Sequence, residues 1–197
     1  MSRDPDPVPP GPPAPVRALT AEQRARAAGM TTSPLVAPGL RVLFCGINPS
    51  LRTAWTGHHF AHPANRFWTA LHLSGFTPRR LAPAEQDELL ALGLGVTNVA
   101  SRTTARASEL STEELVEGGR RLAGELAVLR PRWLAVLGVT AYRTAFAEPR
   151  AVLGPQERRF GGTRVWVLPN PSGLNAHHTP AQLGERFSEL RREVGPA

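Results

Sequence analysis

Short apolar runs alternate along this chain with longer stretches in which apolar positions recur at helical spacing. The runs are Arg41–Cys45 (RVLFC), Leu94–Val99, Trp133–Leu137 (WLAVL) and Arg164–Leu168 (RVWVL). Uninterrupted runs rich in Val and Leu fit strands buried on both faces. Between them the spacing predicts helices. One covers Pro63–Ser74, with Phe67, Trp68, Leu71 and Leu73 on its apolar side and Pro at its start. Others cover Pro83–Leu92, Thr112–Leu129 with Ser111 or Thr112 as N-cap and acids in its first turn, the stretch after Leu137 through Phe146, and Pro180–Glu193. Four strands interleaved with helices predict an α/β fold: a three-layer single domain around a central four-stranded parallel sheet. Ligands of such sheets bind beyond the carboxyl ends of the strands. The segments to inspect are therefore 46–62, 98–106, 138–142 and 169–178.

Residues 1–37 lack this pattern. They are rich in Pro, Ala and Arg and are read as a flexible tail, with a short helix possible after Thr20; the domain is expected over 38–197. The start carries no apolar stretch of the kind a secretory signal has. No apolar run approaches the ~20 residues of a membrane span, so the expected compartment is the cytoplasm, close to the nucleoid if DNA is the partner.

Composition sharpens the chemistry. In 197 residues there are 23 basic and 16 acidic side chains, a formal charge of +7, and every basic one is arginine. A chain without lysine has no lysine Schiff base and no P-loop lysine. The single cysteine, Cys45, excludes an internal disulfide and any four-cysteine metal site; placed in an apolar run, it reads as a core thiol. His58, His59 and His62 lie in a Pro/Gly loop with no carboxylate near in sequence, so neither a metal nor any other cofactor is expected. A basic excess fits a polyanionic partner.

Two stiff loops follow the first and last strands: Gly46-Ile47-Asn48-Pro49-Ser50 and Pro169-Asn170-Pro171-Ser172-Gly173-Leu174-Asn175. Neither has dinucleotide-loop glycine spacing. Gly46–Ser50 (GINPS) and Asn170–Leu174 (NPSGL) resemble the two signature motifs of the mismatch-specific uracil/thymine DNA glycosylases. The stretch between them resembles that family too: Thr56-Gly57, Phe60 to Trp68 (FAHPANRFW), Gly75-Phe76-Thr77, Gly95-Val96-Thr97 and Glu117-Gly118-Gly119-Arg120. The resemblance covers about residues 38–192. It implies a uracil-DNA glycosylase-like fold and a monofunctional enzyme that initiates base excision repair. Such an enzyme flips a damaged base from double-stranded DNA and hydrolyses its N-glycosidic bond. A monomer suffices for that task.

Carried over residue by residue, the resemblance makes Asn48 the group that positions the attacking water. Phe60 stacks on the flipped base, and the backbone of Ile47 and Phe60 reads its edge. Leu174 is a wedge that fills the vacated stack, and Asn170, Ser172, Gly173 and Asn175 shape the loop that meets the widowed guanine. Thr53 stands where a side chain crowds a 5-methyl group, so uracil opposite guanine is expected to be preferred over thymine; ethenocytosine is a further family substrate. Asn98, Ser101 and Arg102 are expected at the rim or against DNA. Three departures stand out. Ser50 replaces a common glycine beside Asn48 and is expected among the base-binding residues, bonding near the sugar or narrowing the pocket; Asn175 and Ala176 occupy a stretch that often holds an arginine, and Trp55 has no assigned role. Two other readings remain: a shifted preference toward deaminated purines, and a module that binds mismatches or abasic sites without turnover.

Overall fold

The structure is a computed structural model and describes residues 18–195. Its elements in chain order are α1 (Ala21–Ala27), β1 (Val42–Gly46), α2 (Leu51–Thr56), α3 (Phe67–Leu73), α4 (Glu88–Ala91), β2 (Leu94–Asn98), α5 (Thr112–Leu129), β3 (Trp133–Leu137), α6 (Val139–Phe146), β4 (Gly154–Phe160), β5 (Thr163–Leu168) and α7 (Pro180–Val194). The sheet runs in the order β2-β1-β3-β5-β4. The four expected strands are all present and mutually parallel where they pair.

The four-stranded parallel sheet expected from the sequence is corrected in one respect: β4 adds a fifth strand, antiparallel to β5. Its sequence, GPQERRF, has little apolar content because it lies at the sheet edge, where exposed charged positions also discourage pairing with a second molecule. Gly161-Gly162 turns the hairpin, with Gly161 at φ +58°.

Alternate side chains of each strand point to opposite faces, and both faces are covered. Phe44, Val96, Trp133, Ala135 and Leu168 pack with Phe67, Trp68 and Leu71 of α3 and with Leu183, Phe187 and Leu190 of α7. Leu43, Cys45, Leu134, Val136 and Val167 pack with Leu122 and Leu126 of α5 and with Tyr142 and Phe146 of α6. Each fully buried side chain of this size stabilises the fold by about 1.5–3 kcal/mol. The Gly118-Gly119 pair lets α5 approach its neighbours: a Cβ would lie 2.1 Å from the Val99 carbonyl oxygen and 2.2 Å from that of Ala145, respectively.

Two expected helices are shorter than their patterns. Pro63–Arg66 forms turns ahead of α3, and Pro83–Leu92 divides into a 3-10 turn and the four-residue α4. The segment 46–62 carries a helix not expected from sequence, α2, which Ser50 caps.

Of the segment expected to be a tail, residues 1–17 lie outside the described residues. The remainder forms an arm. Thr20 and Gln23 build a capping box for α1, Ala27 is fully buried, and α1 packs on α2. Farther on, Leu35 exchanges two 2.8 Å backbone hydrogen bonds with Val96 along the open side of β2. No described helix is long and apolar enough to cross a membrane.

Candidate active site

The carboxyl ends of β1, β2, β3 and β5 open into one cleft of about 730 Å³. The pairing of β1 with β2 continues past the strands into its wall. Val99 N–H bonds Gly46 O (2.9 Å), Ala100 N–H bonds Ile47 O (2.8 Å), and Ser50 bridges Thr104. The loops 46–50 and 99–104 are thus zipped together.

Asn48 stands at this seam. Its Nδ2 donates to Arg102 O (2.9 Å) and Thr104 Oγ1 (2.7 Å). The Thr104 hydroxyl spends its own proton on Arg106 O (2.8 Å), so toward Asn48 it accepts. These partners, and Pro49 O at 3.3 Å, are all acceptors, which fixes the NH₂ on that side and turns Oδ1 away from them. The Arg102 guanidinium is held in turn by the Glu114 carboxylate and by Glu109 O. It is committed within the protein, and its carbonyl supports Asn48. The Arg102 guanidinium, and then the Ser111 N–H, lower the Glu114 pKa to about 2.

Phe60 is half-buried in the cleft wall at φ +52°, a backbone conformation costly for a bulky residue. Its ring packs on Phe67, centroids 4.0 Å apart and planes at 30°. Gly46 is required beside it: a Cβ there would stand 2.5 Å from Asn98 Oδ1 and 3.4 Å from the Phe60 ring. The Asn98 side chain therefore enters the cleft next to Phe60, one strand over from Asn48. Ser50 Oγ accepts from Thr53 N (3.2 Å) and donates to Thr53 Oγ1 (3.1 Å), so its hydroxyl serves the helix cap. Thr53 is buried and lines the cleft, as does Ile47. Ser101 is exposed and lies outside the lining.

The second motif forms the facing wall. Asn170 Oδ1 accepts from Ser172 N (2.9 Å), Ser172 Oγ from Leu174 N (3.3 Å), and Asn175 Nδ2 donates to Asn170 O (2.8 Å). Gly173 rests on Ala64, where a Cβ would meet the Ala64 Cβ at 2.6 Å. Leu174 sits on this self-bonded loop and is 82% exposed. A large apolar side chain displayed on a stiff loop is suited to insertion between bases.

The histidines serve separate groups. His59 is buried and its Nε2 meets Ser33 O (3.0 Å); burial pushes its pKa down. His62 Nδ1 accepts from Ala64 N (3.2 Å). Burial, followed by the charges of Arg186, His177 and Arg66, lowers the His178 pKa. Among the described residues no group of His, Cys, Asp or Glu is arranged to hold a metal. Burial raises the Cys45 pKa far above its usual range, which removes it as a nucleophile. Trp55 lies beneath Arg26 of α1, 5.9 Å from the cation to the ring.

Among the described residues the cleft lining holds amides, hydroxyls, the Phe60 ring, the imidazoles of His59 and His62 and the Arg106 guanidinium, but no carboxylate. Such a site orients water and binds a polar planar ring; it offers no carboxylate base, and its two imidazoles are engaged with Ser33 O and Ala64 N. A family model for the Uracil DNA glycosylase superfamily matches residues 33–191. The chain belongs to this superfamily. Members are typically monofunctional N-glycosylase hydrolases, with DNA as substrate.

Two residues that support this cleft were not legible in the sequence. Thr104, within a Ser-Arg-Thr-Thr stretch, carries no signal beyond its place after a strand. Arg66 lies inside the quoted FAHPANRFW match, yet nothing local shows what it binds.

Proposed function

We propose that this glycosylase excises uracil from mismatches with guanine by a hydrolytic, lysine-independent route. The observation that carries the reading is the locked Asn48 amide across the cleft from the exposed Leu174. Leu174 enters the duplex as the nucleotide leaves it, and the uracil ring stacks on Phe60, a contact worth about 1–3 kcal/mol. Asn98 offers both an acceptor and a donor to the edge of the base. Thr53 narrows the space beside C5, which disfavours thymine.

Asn48 Oδ1 accepts a hydrogen bond from the attacking water and aims its oxygen at C1′. The C1′–N1 bond breaks with its electron pair leaving on uracil, the water oxygen bonds C1′, and the water proton is released to solvent. Because an amide is a poor base, stabilising the uracil anion supplies most of the acceleration.

The test is a labelled duplex with one G·U pair, incubated with protein and then heated in alkali, beside an A·U duplex and the Asn48→Ala variant. Alkali-dependent cleavage of G·U, greater than of A·U and lost in the variant, is the expected result. Binding of the G·U duplex without any cleavage by the wild-type protein overturns it in favour of a mismatch-binding module.

A further inference from the structure

Arg66 is joined to the wedge loop by one of the densest sets of hydrogen bonds in the protein. Its backbone N–H bonds Pro171 O (3.0 Å). Its side chain reaches the same oxygen through Nε (3.4 Å), Ser172 O and Asn175 O through Nη2 (2.6 and 2.8 Å), and His178 O through Nη1. One half-buried guanidinium thus gathers four carbonyls from both ends of the turn that displays Leu174.

We infer that Arg66 is the positioning residue of the wedge, holding the 171–178 loop in its inserting shape before DNA arrives; this rests on the glycosylase reading above. Drawing the Ser172 carbonyl inward turns the N–H on the far side of the same peptide group, that of Gly173, away from Arg66. Among the described residues the Gly173 N–H has no partner, so beside Leu174 the loop presents a donor to the orphaned base. The planar fork matters. Arginine has five donors at fixed angles, whereas lysine has three on one atom and cannot span carbonyls so far apart. Position matters equally. Arg66 precedes Phe67, which backs the Phe60 ring, and Trp68, whose Nε1 donates to His59 O (3.2 Å). The start of α3 therefore ties the wedge to the base-stacking wall, and both walls of the cleft share one rigid support.

The experiment compares wild type, Arg66→Lys and Arg66→Gln as full chains. Amide exchange is read over 172–178, and excision is measured on a G·U duplex and on the same strand with its uracil unpaired. Exchange in the loop is expected to quicken in both variants while the strands stay protected. Excision from the duplex should fall by about tenfold or more, the equivalent of ~1.4 kcal/mol, and that from the unpaired strand by less than about threefold. Unchanged loop exchange, or equal loss on both substrates, overturns the inference. Wild-type failure on both substrates would instead defeat the glycosylase reading, and loop exchange would still decide what Arg66 holds.

Discussion

The Asn48 amide and the Thr104 hydroxyl meet at 2.7 Å, and the hydroxyl can only accept there because its proton is bound to Arg106 O. An amide is otherwise free to flip, presenting oxygen or nitrogen to the cleft with little difference in packing. Thr104 and the Arg102 carbonyl remove that choice. Replacing Thr104 by Val deletes the acceptor while keeping the shape. Excision should fall by about tenfold, with DNA affinity nearly unchanged, and Thr104→Ser should restore it. Single-turnover rates beside binding isotherms check this; a loss confined to affinity would contradict it.

The Arg102–Glu114 pair stands behind the same amide. The Glu114 pKa is depressed, so its stabilising effect is full above the unfolded carboxylate value and is lost as pH falls through that range toward about 2. Thermal melts of wild type and Glu114→Gln should differ by a constant amount above about pH 5 and converge as the pH is lowered below about 4. The pair is exposed, so the difference will be modest.

Gly46 leaves no room beside Asn98. Gly46→Ala places a methyl 2.5 Å from Asn98 Oδ1 and in contact with Phe60. Excision is expected to be lost while the melting temperature drops only a few degrees, of order 1 kcal/mol in stability. Activity and melting curves on one preparation decide it; undiminished activity would mean that Asn98 lies elsewhere in solution.

Leu174 contributes little to the fold because it is 82% exposed. Leu174→Ala should leave the melting curve unchanged and lower excision from duplex by about tenfold or more, a few kcal/mol of unstacking being left without a filler. The fluorescence of 2-aminopurine placed next to the uracil should report less flipping.

The arm at 18–35 braces three parts of the site. Arg26 covers Trp55, Met30 O accepts from Thr103 Oγ1 (2.8 Å), and Ser33 O meets His59 Nε2. Deleting residues 1–35 also bares the edge of β2 at Val96. The truncated chain should melt several degrees lower and excise more slowly even at temperatures where it is fully folded. Equal rates would show that the brace does not reach the loop that carries Asn48.

The four central strands were legible because burial on both faces demands uninterrupted apolar residues, a local property. α5 was legible because its cap and its period lie within one stretch. β4 was not, since an edge strand obeys no such demand. α2 escaped for another reason: its six residues hold too little periodicity, and its Ser50 cap sits in a motif that also suggests a sugar contact. The arm was hidden because Ala27 and Leu35 are unremarkable until α2 and Val96 stand opposite them.

Alone, the sequence determined which residues face inward, where the chain must turn, and that lysine chemistry is absent. It also placed Asn48 and Leu174 in two loops at one end of the sheet. Tertiary structure alone decided which atom of Asn48 is offered to the cleft and what holds Leu174 out. Those answers depend on Thr104, 56 residues after Asn48, and on Arg66, more than a hundred residues before the wedge carbonyls it binds. A hydrogen bond has no sequence period; its direction is fixed only when donor and acceptor are brought within about 3 Å.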